Sequence, residues 1–330
     1  MNKRCCTQVR RLFLAALLAM AIPNVGNAAG QDFATWLQGL RTEAVGKGIR
    51  AETLDRALKN LAPIPRVVEL DRKQPEFTLS FEQYLARVVP QARVDQGRAR
   101  LKENQELLAE ISKKYGVQPR FIVAFWGIES DFGRLDGGFS VIQSLATLAY
   151  DGRRSTFFRG ELIRALRIVD QGHIAPESMR GSWAGAMGHF QFMPSTFESY
   201  AVDYDGDGRR DIWTNKRDAF ASAANYLSKS GWKDDQTWGR PAKVPAGFNM
   251  SLVGLDKKKS LEDWQKLGVT RMDGGPLPTR ADVSASLILA EGTKGPAFLI
   301  YDNYRVTLKW NRSTFFAVAV GTLAERIGDS

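Results

Sequence analysis

Phe121-Ile122-Val123-Ala124-Phe125-Trp126-Gly127-Ile128-Glu129-Ser130-Asp131-Phe132-Gly133 is the stretch that decides the architecture of this chain. Pro119 just before it suits the first position of a helix, where its missing N–H is not needed. Gly133 can close that helix, so the pattern predicts a helix over 120–129. Ile122, Phe125, Trp126 and Glu129 fall at spacings of three, four and seven and share one face. A carboxyl in line with large apolar groups is desolvated, which disfavours its charged form. The negative end of the helix dipole acts in the same direction. A proton retained at neutral pH is what a general acid needs. The competing reading makes Glu129 a rim residue paired to Arg134.

A second stretch is Gly181-Ser182-Trp183-Ala184-Gly185-Ala186-Met187-Gly188-His189-Phe190-Gln191-Phe192-Met193-Pro194-Ser195. Its dense glycine and alanine let backbone approach backbone or ligand. Phe190, Phe192 and Met193 offer apolar surface, and Ser182 and Gln191 offer donors and acceptors. Such a strip suits a sugar, with apolar faces and polar edges; a tightly packed core loop would read the same way. His189 with only His173 beside it, and no cysteine nearby, makes a poor zinc site.

The third stretch, Asp203-Tyr204-Asp205-Gly206-Asp207-Gly208-Arg209-Arg210-Asp211, places Asp at loop positions 1, 3, 5 and 9 and Gly at 6 of a calcium-binding EF-hand loop. Position 12, where a bidentate Glu belongs, is Thr214. The expected ligands of a structural Ca or Na ion are therefore Asp203, Asp205, Asp207 and Asp211. An Asp/Gly-rich surface turn is the plain alternative.

Taken in this order and spacing, the three stretches resemble the lytic murein transglycosylases of the membrane-bound type B family, over nearly the whole chain after residue 28. The resemblance implies a mainly α fold: a lysozyme-like helical core, an additional helical domain and a small β-rich insertion. It implies cleavage of the β-1,4 bond between N-acetylmuramic acid and N-acetylglucosamine, leaving a 1,6-anhydromuramoyl end. Glu129 matches the single catalytic Glu, acting first as acid and then as base, with no cofactor required. Ser182, Phe190, Gln191, Tyr226 and Asn311 match positions at the sugar site; Trp310 stands where a Tyr is usual. A hydrolytic lysozyme-type muramidase and a non-catalytic peptidoglycan-binding protein are the rival readings. Peptidoglycan glycan strands are the implied partner, with cell-wall synthesis proteins beside them.

Outward from these stretches the ends are informative. Lys3, Arg4, Arg10 and Arg11 precede an apolar run over 12–22, then Pro23 and small residues to Ala29. That order reads as a signal peptide over 1–28, too short for a membrane span. Cys5 and Cys6 precede the apolar run, so neither is placed for lipid attachment, and a soluble periplasmic protein is expected. The formal charge of +10 falls to +6 without those four basic residues. A modest basic excess favours an anionic polymer. No window joins clustered Lys and Arg to stacking aromatics, which argues against nucleic acid, and no later stretch can form an integral membrane segment.

Helical periodicity marks residues 33–40, 54–61, 81–89, 101–115, 161–169, 219–229 and 314–326. From Trp232 to about Lys294, Gly, Pro and turn pairs punctuate short runs, with a strand over 283–289. The expected organisation is an N-terminal helical domain over 29–100 joined by a helix at 314–330. A catalytic core follows over 101–231, completed by 295–313, with a β-rich subdomain at 232–294.

Overall fold

The computed structural model describes residues 32–73, 79–135 and 137–328, so the expected signal segment lies outside the described residues. Five helices open the chain: α1 (Phe33–Gly46), α2 (Ala51–Ala57), α3 (Pro65–Lys73), α4 (Phe81–Val88) and α5 (Gln91–Glu103). α6 (Gln105–Tyr115) and α7 (Pro119–Ser130) follow, then α8 (Val141–Asp151), α9 (Ser155–Asp170), α10 (Pro194–Tyr200) and α11 (Lys216–Lys229). The helix expected over 101–115 is broken at Asn104, whose side-chain amide donates to the Arg100 carbonyl at 2.8 Å. That bond competes for an acceptor the helix ladder would otherwise use. The periodicity marks none of α3, α8 and α10, and only the last turn of α5.

α7 is the axis of the core. Every residue from Phe121 to Gly127 is buried, not only the face read from the spacing. A helix apolar all round must be enclosed, and α5, α6, α11 and α14 (Thr314–Gly328) pack against it. Close approach is built into the sequence at Gly97 and Gly127. A Cβ at Gly97 would lie 2.4 Å from Ile327, and one at Gly127 would lie 2.8 Å from the Phe132 ring. One continuous apolar cluster runs from Trp36 to Ile327, so the N-terminal helices share the core of the rest. α14 packs on α7 as well as on α4 and α5, and so belongs to both parts.

A two-stranded ladder pairs β1 (Phe139–Ser140) with β2 (Arg180–Gly181). It lays the glycine-rich strip alongside the chain leaving α7. Gly137, at φ +98°, makes this possible, because a Cβ there would meet the Gly181 backbone at 2.3 Å.

The β-rich part is a four-stranded antiparallel sheet of β3 (Gly239–Ala242), β4 (Lys258–Ser260), β5 (Ser284–Glu291) and β6 (Lys294–Ile300), in spatial order β3-β6-β5-β4. β6 carries it past the expected edge at 294. Side chains alternate across a strand, so Ala285 and Leu287 of β5 enter a small second core with Trp264 of α12 (Leu261–Lys266), while Ile288 and Ala290 join the main one. After β6, α13 (Asp302–Trp310), also unanticipated, delivers Trp310 to the end of α7.

Candidate active site

α7 ends in three successive left-handed residues, Asp131 (φ 52°), Phe132 (φ 59°) and Gly133 (φ 79°). Two of them pay the steric penalty of a non-glycine in that region, and each is held by contacts. The Asp131 carboxylate takes Arg93 at 3.3 Å and Arg134 at 2.6 Å. The Phe132 ring stands edge-on to Trp126, centroids 5.6 Å apart. Arg134 therefore engages Asp131, which removes the alternative partner proposed for Glu129.

Glu129 is partly buried on the last turn of α7. Its Oε1 accepts a hydrogen bond from Trp310 Nε1 at 2.7 Å. Burial pushes its carboxyl up to about 7, against a smaller lowering by that bond. The cause is desolvation, as the apolar neighbours in the sequence implied. A cleft of about 710 Å³ opens beside it, walled by Tyr84, Arg87 and Arg93 from α4 and α5 and by Asn311, Phe315 and Phe316 near the start of α14. Glu129 is the only carboxyl among the described residues lining this cleft.

Trp310 is the hub of an aromatic wall. Its ring lies 4.6 Å from Phe125, 4.8 Å from Tyr226, 5.4 Å from Phe192 and 6.2 Å from Phe190, centroid to centroid. The Tyr226 hydroxyl donates to the Lys309 carbonyl at 2.8 Å and braces α13. Asn311 accepts from Ser313 N at 3.0 Å, shaping the turn into α14.

Of the expected sugar-site residues Asn311 lines this cleft; Trp310 meets Glu129 at its edge, and Tyr226 and Phe190 pack against Trp310. Ser182 and Gln191 are not among the residues lining the cleft, and their side chains bond within their own loop. Ser182 Oγ accepts from Ala186 N at 3.0 Å, and Gln191, at φ 47°, donates from its amide to the Gly188 carbonyl at 3.0 Å. Isolated bridges link Gly181 to Met187 and Met187 to Phe192, whose ring meets Trp310.

Sequence reasoning missed Ser130 and gave His189 no role. Ser130 is buried; its hydroxyl donates to the His189 carbonyl at 2.6 Å and accepts from Gly133 N at 3.0 Å. His189 Nδ1 accepts from Trp126 Nε1 at 2.9 Å, so its ring is an anchor for the loop. The Arg93 and Arg87 side chains, supplied by the N-terminal helices, carried no local signal.

In the Asp loop, oxygens of Asp203, Asp205 and Asp218 lie within 4.8 Å of one another. Asp207 and Asp211 stand outside this group. Asp207 accepts from Arg209 N at 2.8 Å, and Asp211 accepts from Trp213 N at 2.9 Å and Thr214 N at 2.8 Å. Asp218, fully buried, lies past the twelve-residue EF-hand window and was missed. It accepts from Tyr204 N at 2.7 Å and Asp211 N at 2.8 Å, and burial raises its carboxyl. Three carboxylates drawn together form a hard oxygen donor set of the kind Ca²⁺ takes.

The helical core and its cleft place this protein in the lysozyme-like class of enzymes. The chain belongs to the Transglycosylase SLT domain family, which it matches over residues 32–325. It is 29% identical over 299 residues, 86% of this chain and 76% of the relative, to the membrane-bound lytic murein transglycosylase B of Escherichia coli (strain K12). It is similar to SltB3 from Pseudomonas aeruginosa, solved in complex with NAG-NAM-pentapeptide, at 47% identity and a TM-score of 0.88, covering 91% of this chain and 81% of that one. It is also similar to the E. coli lytic transglycosylase Slt35 in complex with calcium, at 29% identity and a TM-score of 0.76, covering 92% and 95%.

Proposed function

We propose that this enzyme cleaves the β-1,4 bond between N-acetylmuramic acid and N-acetylglucosamine in peptidoglycan and closes the muramoyl 6-hydroxyl onto C1. The observation that carries this reading is Glu129, a lone carboxyl raised to about 7 at the wall of an aromatic cleft. Glycosidases that use water ordinarily need two carboxyl groups flanking the bond. Asp131, the nearest other acid in sequence, is engaged by Arg93 and Arg134.

The protonated Glu129 gives its proton to the glycosidic oxygen as the C1–O bond breaks. The resulting carboxylate takes the proton of the 6-hydroxyl as that oxygen bonds to C1. The acid is thereby regenerated and no water is consumed. The substrate's own acetamido group steadies C1 between the two steps. The relative SltB3 in complex with a peptide-bearing disaccharide supports a substrate of this type.

Mass spectrometry of digested sacculi tests the reading. Products lighter by one water than hydrolysis fragments support it; reducing muramic acid ends would assign hydrolysis instead. Loss of cutting in Glu129→Gln is required by either outcome.

The Asp203, Asp205 and Asp218 carboxylates would hold a structural Ca²⁺ or Na⁺, whose charge would offset their mutual repulsion. The loop stands apart from the cleft residues, so the ion supplies fold stability and no reaction step. Residues 1–28 would direct export to the periplasm. No helix among the described residues is long and apolar enough to cross a membrane.

A further inference from the structure

Trp310 offers Glu129 a hydrogen bond of one polarity only. An indole N–H donates and has no lone pair to accept. The carboxyl oxygen it meets, Oε1 at 2.7 Å, must therefore act as acceptor whether Glu129 is protonated or not. In the neutral acid, the carbonyl oxygen is the better acceptor and the hydroxyl oxygen carries the proton. We propose that Trp310 is a positioning residue that holds Oε1 as the acceptor and confines the transferable proton to Oε2. The inference rests on Glu129 being the proton donor.

Two further observations fit this assignment. First, the indole is not free to turn away. It is wedged among Phe125, Tyr226, Phe192 and Phe190 at the last residue of α13, and the next residue, Asn311, bonds back to the Thr307 carbonyl at 3.0 Å. Second, Oε2 has the opposite environment. Glu129 makes no other side-chain hydrogen bond among the described residues, and Oε2 is not among the buried polar atoms lacking a partner. Glu129 lines the cleft, so Oε2 is the oxygen left to meet a glycosidic oxygen there. A phenol at this place could donate or accept and would fix nothing by itself.

The step balances on one oxygen. Oε2 releases its proton to the leaving oxygen and the electron pair of the O–H bond stays on the carboxylate. Oε2 then receives the proton of the 6-hydroxyl. Through both transfers Oε1 keeps its bond to Trp310, and that bond strengthens as negative charge develops.

The test replaces Trp310 by 3-benzothienylalanine, which keeps the two-ring shape and puts sulfur where the N–H was, with Trp310→Phe as a second variant. A hydrogen bond to a charged group is worth enough that kcat should fall about tenfold to a hundredfold. KM should change much less, because the bond does not touch substrate. The alkaline limb of kcat against pH should move upward, since a group favouring the carboxylate is gone. The infrared carbonyl stretch of protonated Glu129, read as the difference from Glu129→Gln, should shift to higher frequency. An unchanged kcat, pH limb and stretch in the benzothienyl variant would overturn the proposal and leave Trp310 a packing residue. Activity retained in Glu129→Gln would instead overturn the acid assignment beneath it, so the two failures are told apart.

Discussion

The indole N–H of Trp126 donates to Nδ1 of His189 across 2.9 Å, and this bond joins the helix that carries Glu129 to the strip that carries Gln191. It requires an unprotonated Nδ1. Burial first, and then the nearby Lys216 charge, hold the imidazole below its usual range, which keeps it neutral. Ser130 makes a second tie to the same residue, through the His189 carbonyl.

Replacing His189 by Ala is expected to leave the buried Trp126 N–H unpaired and lower stability by roughly 1–3 kcal/mol. The pH dependence should change with it. His189 and His173 both have folded pKa values below the ordinary 6.5, so the unfolded chain binds their protons first as pH falls. The contribution of these two histidines is full above about pH 6.5 and declines below it, levelling off under the folded values, against the opposite trend set by Glu129. Urea unfolding of His189→Ala between pH 7 and 5 should show a shallower decline than the parent, with the share of His173 remaining. An unaltered slope would count against a neutral, bonded His189.

Glu129 sets a pH window of its own. The protonated form is the acid, so kcat/KM should fall as pH rises through about 7. The same shift has the opposite consequence for stability. The unfolded carboxyl ionises near 4.5 while the folded one resists to about 7, so the folded state loses stability progressively as pH rises between them. Glu129→Gln should therefore be inactive yet more stable than the parent at pH 8, by at most about 3 kcal/mol and by less once water in the cleft is allowed for. Thermal unfolding at pH 4 and pH 8 checks this; equal stabilisation at both would contradict the buried acid.

Calcium should raise the melting temperature of the parent protein, and Asp218→Asn should abolish that rise. Asn keeps an oxygen that can accept from Tyr204 N but gives up the bond from Asp211 N, so the variant's own melting temperature should fall somewhat. The decisive quantity is the calcium-dependent increment, measured with and without chelator, and not the melting temperature alone. An increment preserved in Asp218→Asn would exclude Asp218 as a ligand. Cutting of sacculi should survive chelation at temperatures where the fold persists.

Gly133→Ala should damage both stability and turnover. The residue sits at φ +79°, and a Cβ there would lie 2.3 Å from the His189 ring. The left-handed backbone costs about 1–2 kcal/mol for a non-glycine residue, and the ring must move to relieve the clash. Because that ring anchors the loop to α7, kcat should fall along with melting temperature. An alanine variant of parental activity would show that the anchor is slack.

Several features needed only the sequence. The apolar run around Glu129 demanded enclosure, and enclosure among apolar groups raises a carboxyl where no cation or donor outweighs it. Dense glycine in 181–188 announced close backbone approach, which the ladder to 139–140 realises. Change of texture after Trp232 marked the β-rich part, because clustered Gly, Pro and turn pairs leave no run long enough for a helix, whereas single glycines such as Gly97 and Gly127 are tolerated inside one. These readings depend on neighbours in the chain, and periodicity carries that information.

What only the tertiary structure decided concerns pairs far apart in the chain. Trp310 meets Glu129 across 181 residues, Trp126 meets His189 across 63, and Arg93 meets Asp131 across 38. Asp218 joins Asp203 and Asp205 from the first turn of a separate helix, outside the loop spacing that named Asp207 and Asp211. Local pattern fixes which residues must be buried or must turn. Which polar group each buried group meets depends on how α7, α11, α13 and the 181–193 strip pack, and side-chain spacing along the chain does not encode that packing.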